Sequence, residues 1–163
     1  MSKDLVILID VWNNILDRHI WNMIKRINKL AEEDKIEAAL FATYCKPNIR
    51  KNSNFEYHNW IRNRLNIYSE ELVPENYIEK KPNYSYGKLT PAIKNQILLL
   101  EKSFNFNNII MMGGNWKECV HYRPLGINNL KKVLPHKKII IYPDCMMGLY
   151  DNIKLVEKGP FYG

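Results

Sequence analysis

The chain has 163 residues, 46% hydrophobic and 25% charged, with a formal net charge of +7. That size and balance fit one folded domain spanning residues 1–163 with a substantial buried core, and they exclude an intrinsically disordered chain. Cys45, Cys119 and Cys145 form no CxxC pair, so neither a disulfide framework nor a cysteine-rich zinc site is expected and the thiols read as reduced. No apolar run approaches bilayer length, and Met1 to Asp4 leads into a strand-like segment instead of a signal peptide. The expectation is a cytoplasmic protein with no membrane partner. The positive charge suits nucleic acid, an anionic small molecule or no specific partner.

Leu5 to Asp10 is a continuous apolar run ending in a carboxylate, the pattern of a strand covered on both faces in a parallel sheet. Asp10 then lies at the strand's carboxyl end, where open α/β sheets place ligands, and reads either as a chemical group or as a cap for the next helix. Between Ile15 and Ala31, residues Ile20, Met23, Ile24, Ile27, Leu30 and Ala31 recur at helical spacing. Ile36 to Thr43 predicts a second strand, broken by Lys46-Pro47, and Phe55 to Leu65 a short helix. Asn76 to Lys81 predicts a third strand ending at Pro82. Thr90-Pro91 pairs an N-cap with a first-turn proline and opens a helix running to Lys102.

Asn108 to Met112 predicts a fourth strand, followed by Gly113-Gly114 and a helix with Cys119 in or near its first turn. At such a position unsatisfied N–H groups and the helix dipole favour thiolate, so Cys119 is either a nucleophile or a small packing residue. Pro124 predicts a break, a second helical piece covers Ile127 to Val133, and Lys138 to Tyr142 is a fifth strand with Pro143-Asp144 at its carboxyl end. Met146 to Gly163 is weakly patterned and reads as a last helix and a short edge strand. The alternation gives an α/β domain with a mainly parallel, Rossmann-like central sheet. Asp10, Lys81 and Cys119 all fall just past carboxyl ends of strands on this reading.

Four segments, Val6-Ile-Leu-Ile-Asp-Val-Trp-Asn13, Lys81-Pro-Asn-Tyr-Ser85, Gly113-Gly-Asn-Trp-Lys-Glu-Cys-Val120 and Ile139-Ile-Ile-Tyr-Pro-Asp144, occur in the order and spacing of the isochorismatase-like cysteine hydrolases. The chain resembles that family, which includes nicotinamidases and N-carbamoyl amidohydrolases. The resemblance implies a three-layer α/β/α fold and an Asp–Lys–Cys triad, carried here by Asp10, Lys81 and Cys119; Lys81, not Lys80, precedes the proline as the family's lysine does. It also implies a non-proline cis peptide at Gly114-Asn115 that supplies an oxyanion donor beside the N–H of Cys119. In that chemistry Asp10 accepts the thiol proton, Lys81 favours the ionised thiol, and Cys119 attacks a carbonyl carbon.

The chain also departs from the family pattern. Many of the family's amidases carry an Asp and two His as a metal site near strand two, where this chain has Thr43-Tyr-Cys-Lys-Pro47. His19, His58, His121 and His136 are scattered and read as surface or capping residues, so neither a catalytic metal nor another cofactor is expected. Trp12 replaces a frequent glutamine, and Ser85-Tyr-Gly87 replaces Ser-Ala-Phe. Trp12, Tyr86 and Trp116 read either as an aromatic pocket or as ordinary core and rim. Arg123 and Lys88 read either as receivers of a substrate carboxylate or phosphate or as solvated charges.

The resulting expectation is a metal-independent hydrolase of a small amide, carbamoyl or related polar, even anionic, metabolite. Vinyl-ether hydrolysis also occurs in the family. The alternative is a catalytically inactive protein that binds a small metabolite on the same scaffold. Nucleic acid is not an expected partner, because no recognised motif or dense Lys/Arg cluster accompanies the charge. Family members commonly assemble, which leaves a homodimer or higher homo-oligomer open.

Overall fold

The five described strands are short, apolar and all parallel, and the computed structural model describes residues 3–11, 17–42, 53–72, 89–117 and 119–149. The elements are β1 (Asp4–Ile9), α1 (Asp17–Glu32), β2 (Ile36–Ala42), α2 (Ser53–Arg62), β3 (Ser69–Leu72), α3 (Pro91–Phe104), β4 (Ile109–Gly113), α4 (Cys119–Tyr122), α5 (Ile127–Val133) and β5 (Ile139–Met146). The strand order is β3-β2-β1-β4-β5. From β1 the chain winds outward through β2 to β3, then returns to the other side of β1 with β4 and β5. The direction of winding therefore reverses between β1 and β4, the position at which open α/β sheets place their ligands.

Successive residues of a strand face opposite sides, and β1 uses both for packing. Leu5, Ile7 and Ile9 enter one core with Ile93, Ile97 and Leu100 of α3 and Ile127 and Leu130 of α5. Val6 and Leu8 enter the other with Ile20, Met23, Ile24, Ile27 and Leu30 of α1 and Ile61 of α2. Two cores separated by the sheet make the three-layer α/β/α arrangement. Each of the five α1 side chains is nearly fully buried, and burial of such a side chain is worth about 1.5–3 kcal/mol before conformational entropy is counted.

Helix α3 starts where its sequence predicts. Pro91 occupies the first turn, and the Thr90 side chain accepts the Ile93 N–H at 3.2 Å. Asn105 closes the helix in the left-handed conformation at φ 46°. Pro124 has no N–H with which to continue the ladder after α4, and the chain re-enters a helix at Ile127, as expected from the sequence. Strand β5 runs past its expected end and includes Pro143. It lies at the edge of the sheet, where a missing N–H is tolerated, and its register shifts so that Ile141 pairs with Met111 and Met146 with Gly113.

Strand β3 lies at Ser69–Leu72, a segment the periodicity did not single out. The expected strand at 76–81 and the expected elements after residue 149 fall outside the described residues. No helix among the described residues is long and apolar enough to cross a membrane.

Candidate active site

Ile9 pairs with Gly113 at the carboxyl ends of the two central strands, so Asp10 and Gly114 leave the sheet side by side. Asp10 is buried and holds a positive φ of 47°, uncommon for a residue with a side chain. Glycine is required opposite it. Gly113 has φ 107°, and a Cβ on Gly114 would lie 2.8 Å from the Asp10 Cβ and from the Ile9 carbonyl oxygen. The turn thereby brings Asn115 and Cys119 over the Asp10 carboxylate. It does so without the cis bond implied by the family resemblance: no cis peptide occurs among the described residues, Gly114 and Asn115 included. The reversal comes from the φ of Gly113, with the Gly114 N–H bonded to the Ile9 carbonyl.

Cys119 opens α4, and its thiol interacts with the Asp10 carboxylate closely enough that each shifts the other's acidity. Arg123 lies one helical turn later and donates its backbone N–H to the Cys119 carbonyl at 3.1 Å. Its guanidinium turns inward: Nε donates to Asp10 Oδ2 at 2.7 Å, and Nη2 approaches Cys119 Sγ at 3.8 Å. The Arg123 side chain is 9% exposed and that of Asp10 2%. Arg123 is therefore neither a solvated charge nor an open receptor for a substrate anion; Asp10 occupies its donor edge. The i, i+4 spacing of Cys119 and Arg123 was the sequence signal for this arrangement, because it places both on one helix face.

Burial raises the pKa of Asp10 more strongly than Arg123, the Cys119 hydrogen bond and the charge of His58 lower it. Burial also pushes the Cys119 thiol up to about 11, helped by the charge of Asp10 and opposed by Arg123 and a backbone hydrogen bond from Asn115. Burial thus works against the ready thiolate that the helix-start position suggests. Helix α4 has only four residues, and its small dipole does not offset burial beside a carboxylate. The raised basicity of Asp10 suits it to take the proton of the neighbouring thiol.

Trp116 is half-buried, its backbone N–H donating to the Met147 carbonyl at 2.8 Å and its ring meeting His121 edge-on at 4.5 Å. The carbonyl of Asn115 accepts the Val120 N–H at 3.2 Å, and its side-chain oxygen accepts the Lys117 N–H at 3.1 Å. Lys81, Trp12, Tyr86, Lys88 and Cys45 lie outside the described residues.

The histidines divide differently from the sequence expectation. His136 is exposed and pairs with Glu101, but His19 and His58 are interior because each falls on the sheet-facing side of its helix. Asp17-Arg18-His19 forms an Asp-x-His at the start of α1. Among the described residues, no three His, Cys, Asp or Glu side chains converge as a metal site would require.

Comparison of the chain with protein-family models, with curated proteins and with solved structures returned no match.

Proposed function

We propose that the protein is a cysteine hydrolase of a small amide, carbamoyl or related polar metabolite, similar in mechanism to the isochorismatase-like enzymes and needing no metal. The observation that carries this reading is the buried cluster at the reversal point of the sheet, where the Arg123 guanidinium reaches both the Asp10 carboxylate at 2.7 Å and the Cys119 sulfur at 3.8 Å. Substrate entering there displaces water, Asp10 takes the thiol proton, and the sulfur attacks the carbonyl carbon. Arg123 holds the carboxylate in place and offers positive charge to the thiolate as it forms. The N–H groups of Asn115 and Cys119 are the candidate oxyanion donors. The proton on Asp10 then passes to the leaving amine, and water releases the acyl group. Lys81 is the family-derived second cation of this scheme.

A second reading is favoured by one observation. A thiol held up at about 11 beside an arginine-locked carboxylate also suits a protein that binds a metabolite without turning it over. A panel of small primary amides and carbamoyl compounds, assayed for ammonia release, separates the two. Release that disappears in Cys119→Ala and in Asp10→Asn supports the hydrolase. Ligand-induced thermal stabilisation with no release in the natural protein supports the binder and contradicts the hydrolase.

A further inference from the structure

Helix α2 and the ends of β1, β2 and β3 enclose a polar pair that the chemistry above leaves unused. The side chain of His58 is 3% exposed and that of Glu71 14%. Its Nε2 lies 2.8 Å from the Val11 carbonyl oxygen, and its Nδ1 lies 2.8 Å from Glu71 Oε1. Phe41 packs on the imidazole, with ring centroids 4.7 Å apart. The second oxygen of Glu71 is buried and accepts no hydrogen bond among the described residues.

These contacts determine where protons sit. A carbonyl oxygen only accepts, so Nε2 carries a hydrogen. A carboxylate also only accepts, so the contact at Nδ1 requires a second proton between nitrogen and oxygen. The nearby Asp10 carboxylate favours leaving that proton on the ring, opposite the Glu71 carboxylate. Val11, whose carbonyl the ring grips, directly follows Asp10 and its left-handed backbone. Glu71 faces the ring from β3, Asp10 acts on it from β1, and Phe41 on β2 brings no charge. On α2 itself Arg62 is held by Ser69 through bonds of 3.1 and 2.8 Å.

We infer that Glu71 and His58 form a positioning dyad for Asp10: Glu71 keeps His58 protonated, and His58 anchors the Val11 carbonyl and places a fixed positive charge near the Asp10 carboxylate. Neither residue touches the thiol; both act through Asp10. The role as a catalytic support rests on the hydrolase reading, whereas the dyad's effect on Asp10 can be measured without turnover.

The test is NMR of the whole protein labelled with ¹⁵N-histidine and ¹³C-carboxyl aspartate. At neutral pH both ring nitrogens of His58 should be protonated. Glu71→Gln should leave the hydrogen on Nε2 alone and lower the acid constant of Asp10 by roughly threefold or more. His58→Gln retains an N–H donor without the charge and should shift Asp10 in the same direction. A neutral His58 in the natural protein, or an Asp10 titration that stays put in a folded variant, overturns the dyad. If neither variant folds, the ring protonation of the natural protein decides alone. An Asp10 titration that responds to Glu71 in a protein without hydrolase activity keeps the dyad and removes its catalytic purpose. Turnover with an unresponsive Asp10 does the reverse.

Discussion

Among the described residues are two Asp–Arg–Cys groups, and they differ in almost everything except residue type. At the reversal point Asp10, Arg123 and Cys119 come from segments more than one hundred residues apart and are buried together. At the sheet edge Asp144 and Cys145 are chain neighbours on β5, and Arg26 reaches Asp144 from α1 at 3.3 Å. There the Asp144 and Arg26 side chains are 34% and 32% exposed, Arg26 also lies over the Tyr142 ring at 4.2 Å, and the Cys145 carbon–sulfur body fills the core under α1. Burial and Asp144 push the Cys145 thiol far above its ordinary value. Residue type alone does not make a site. Strand order, a glycine turn and the desolvation of both charges distinguish the first group from the second.

The largest expected contrast lies in stability. Arg123→Met leaves a buried carboxylate without its cation and should cost about 3–5 kcal/mol. Arg26→Met breaks a partly solvated pair and should cost about 1 kcal/mol or less. Urea denaturation of the two variants measures both, and equal losses would erase the distinction. Next comes Gly114→Ala, whose Cβ would press on Asp10 and on backbone. An overpacking loss of about 1–3 kcal/mol is expected there, together with a displaced Asp10 that no longer meets the thiol. Full stability in this variant would show that the turn is more yielding than its contacts indicate.

A smaller effect concerns pH. The folded state raises the pKa of Asp10 above its ordinary value of 3.8, so the folded protein holds this proton more tightly than the unfolded chain. The contribution of Asp10 to stability is therefore fully present below that value and is lost as pH rises through the folded pKa. The difference in stability between the natural protein and Asp10→Asn should change across that acidic interval. A pH-independent difference would place the carboxylate in ordinary solvent.

Much of the fold was legible because long-range order left local marks. The unbroken apolar runs of β1, β2 and β4 announced strands buried on both faces, the Thr90-Pro91 pair announced the start of α3, and Pro124 announced the gap between α4 and α5. Strand β3 was missed because Ser69-Glu-Glu-Leu72 is short and polar; it is a strand because it pairs with β2 at the sheet edge. The positions of Asp10 and Cys119 followed from strand ends and the glycine pair. The i, i+4 spacing of Cys119 and Arg123 marked a shared helix face but not the inward turn of the guanidinium, because whether an arginine faces water or a carboxylate depends on a partner 113 residues away. His58 was hidden in the same way, since its partners are a carbonyl after β1 and an acid on β3.

The most direct test of the account is the pH dependence of iodoacetamide alkylation at Cys119, resolved by peptide mass spectrometry in the natural protein, Asp10→Asn and Arg123→Met, with Cys145 as the internal reference. The account predicts that Cys119 labels in the folded protein with a rate climbing toward the thiol's value of about 11, while Cys145 labels only on unfolding. It also predicts that Asp10→Asn moves the Cys119 profile to lower pH by removing a neighbouring negative charge, and that Arg123→Met moves it to higher pH. Identical Cys119 profiles in all three proteins would contradict the account, because they would mean that the carboxylate, the guanidinium and the thiol do not act on one another.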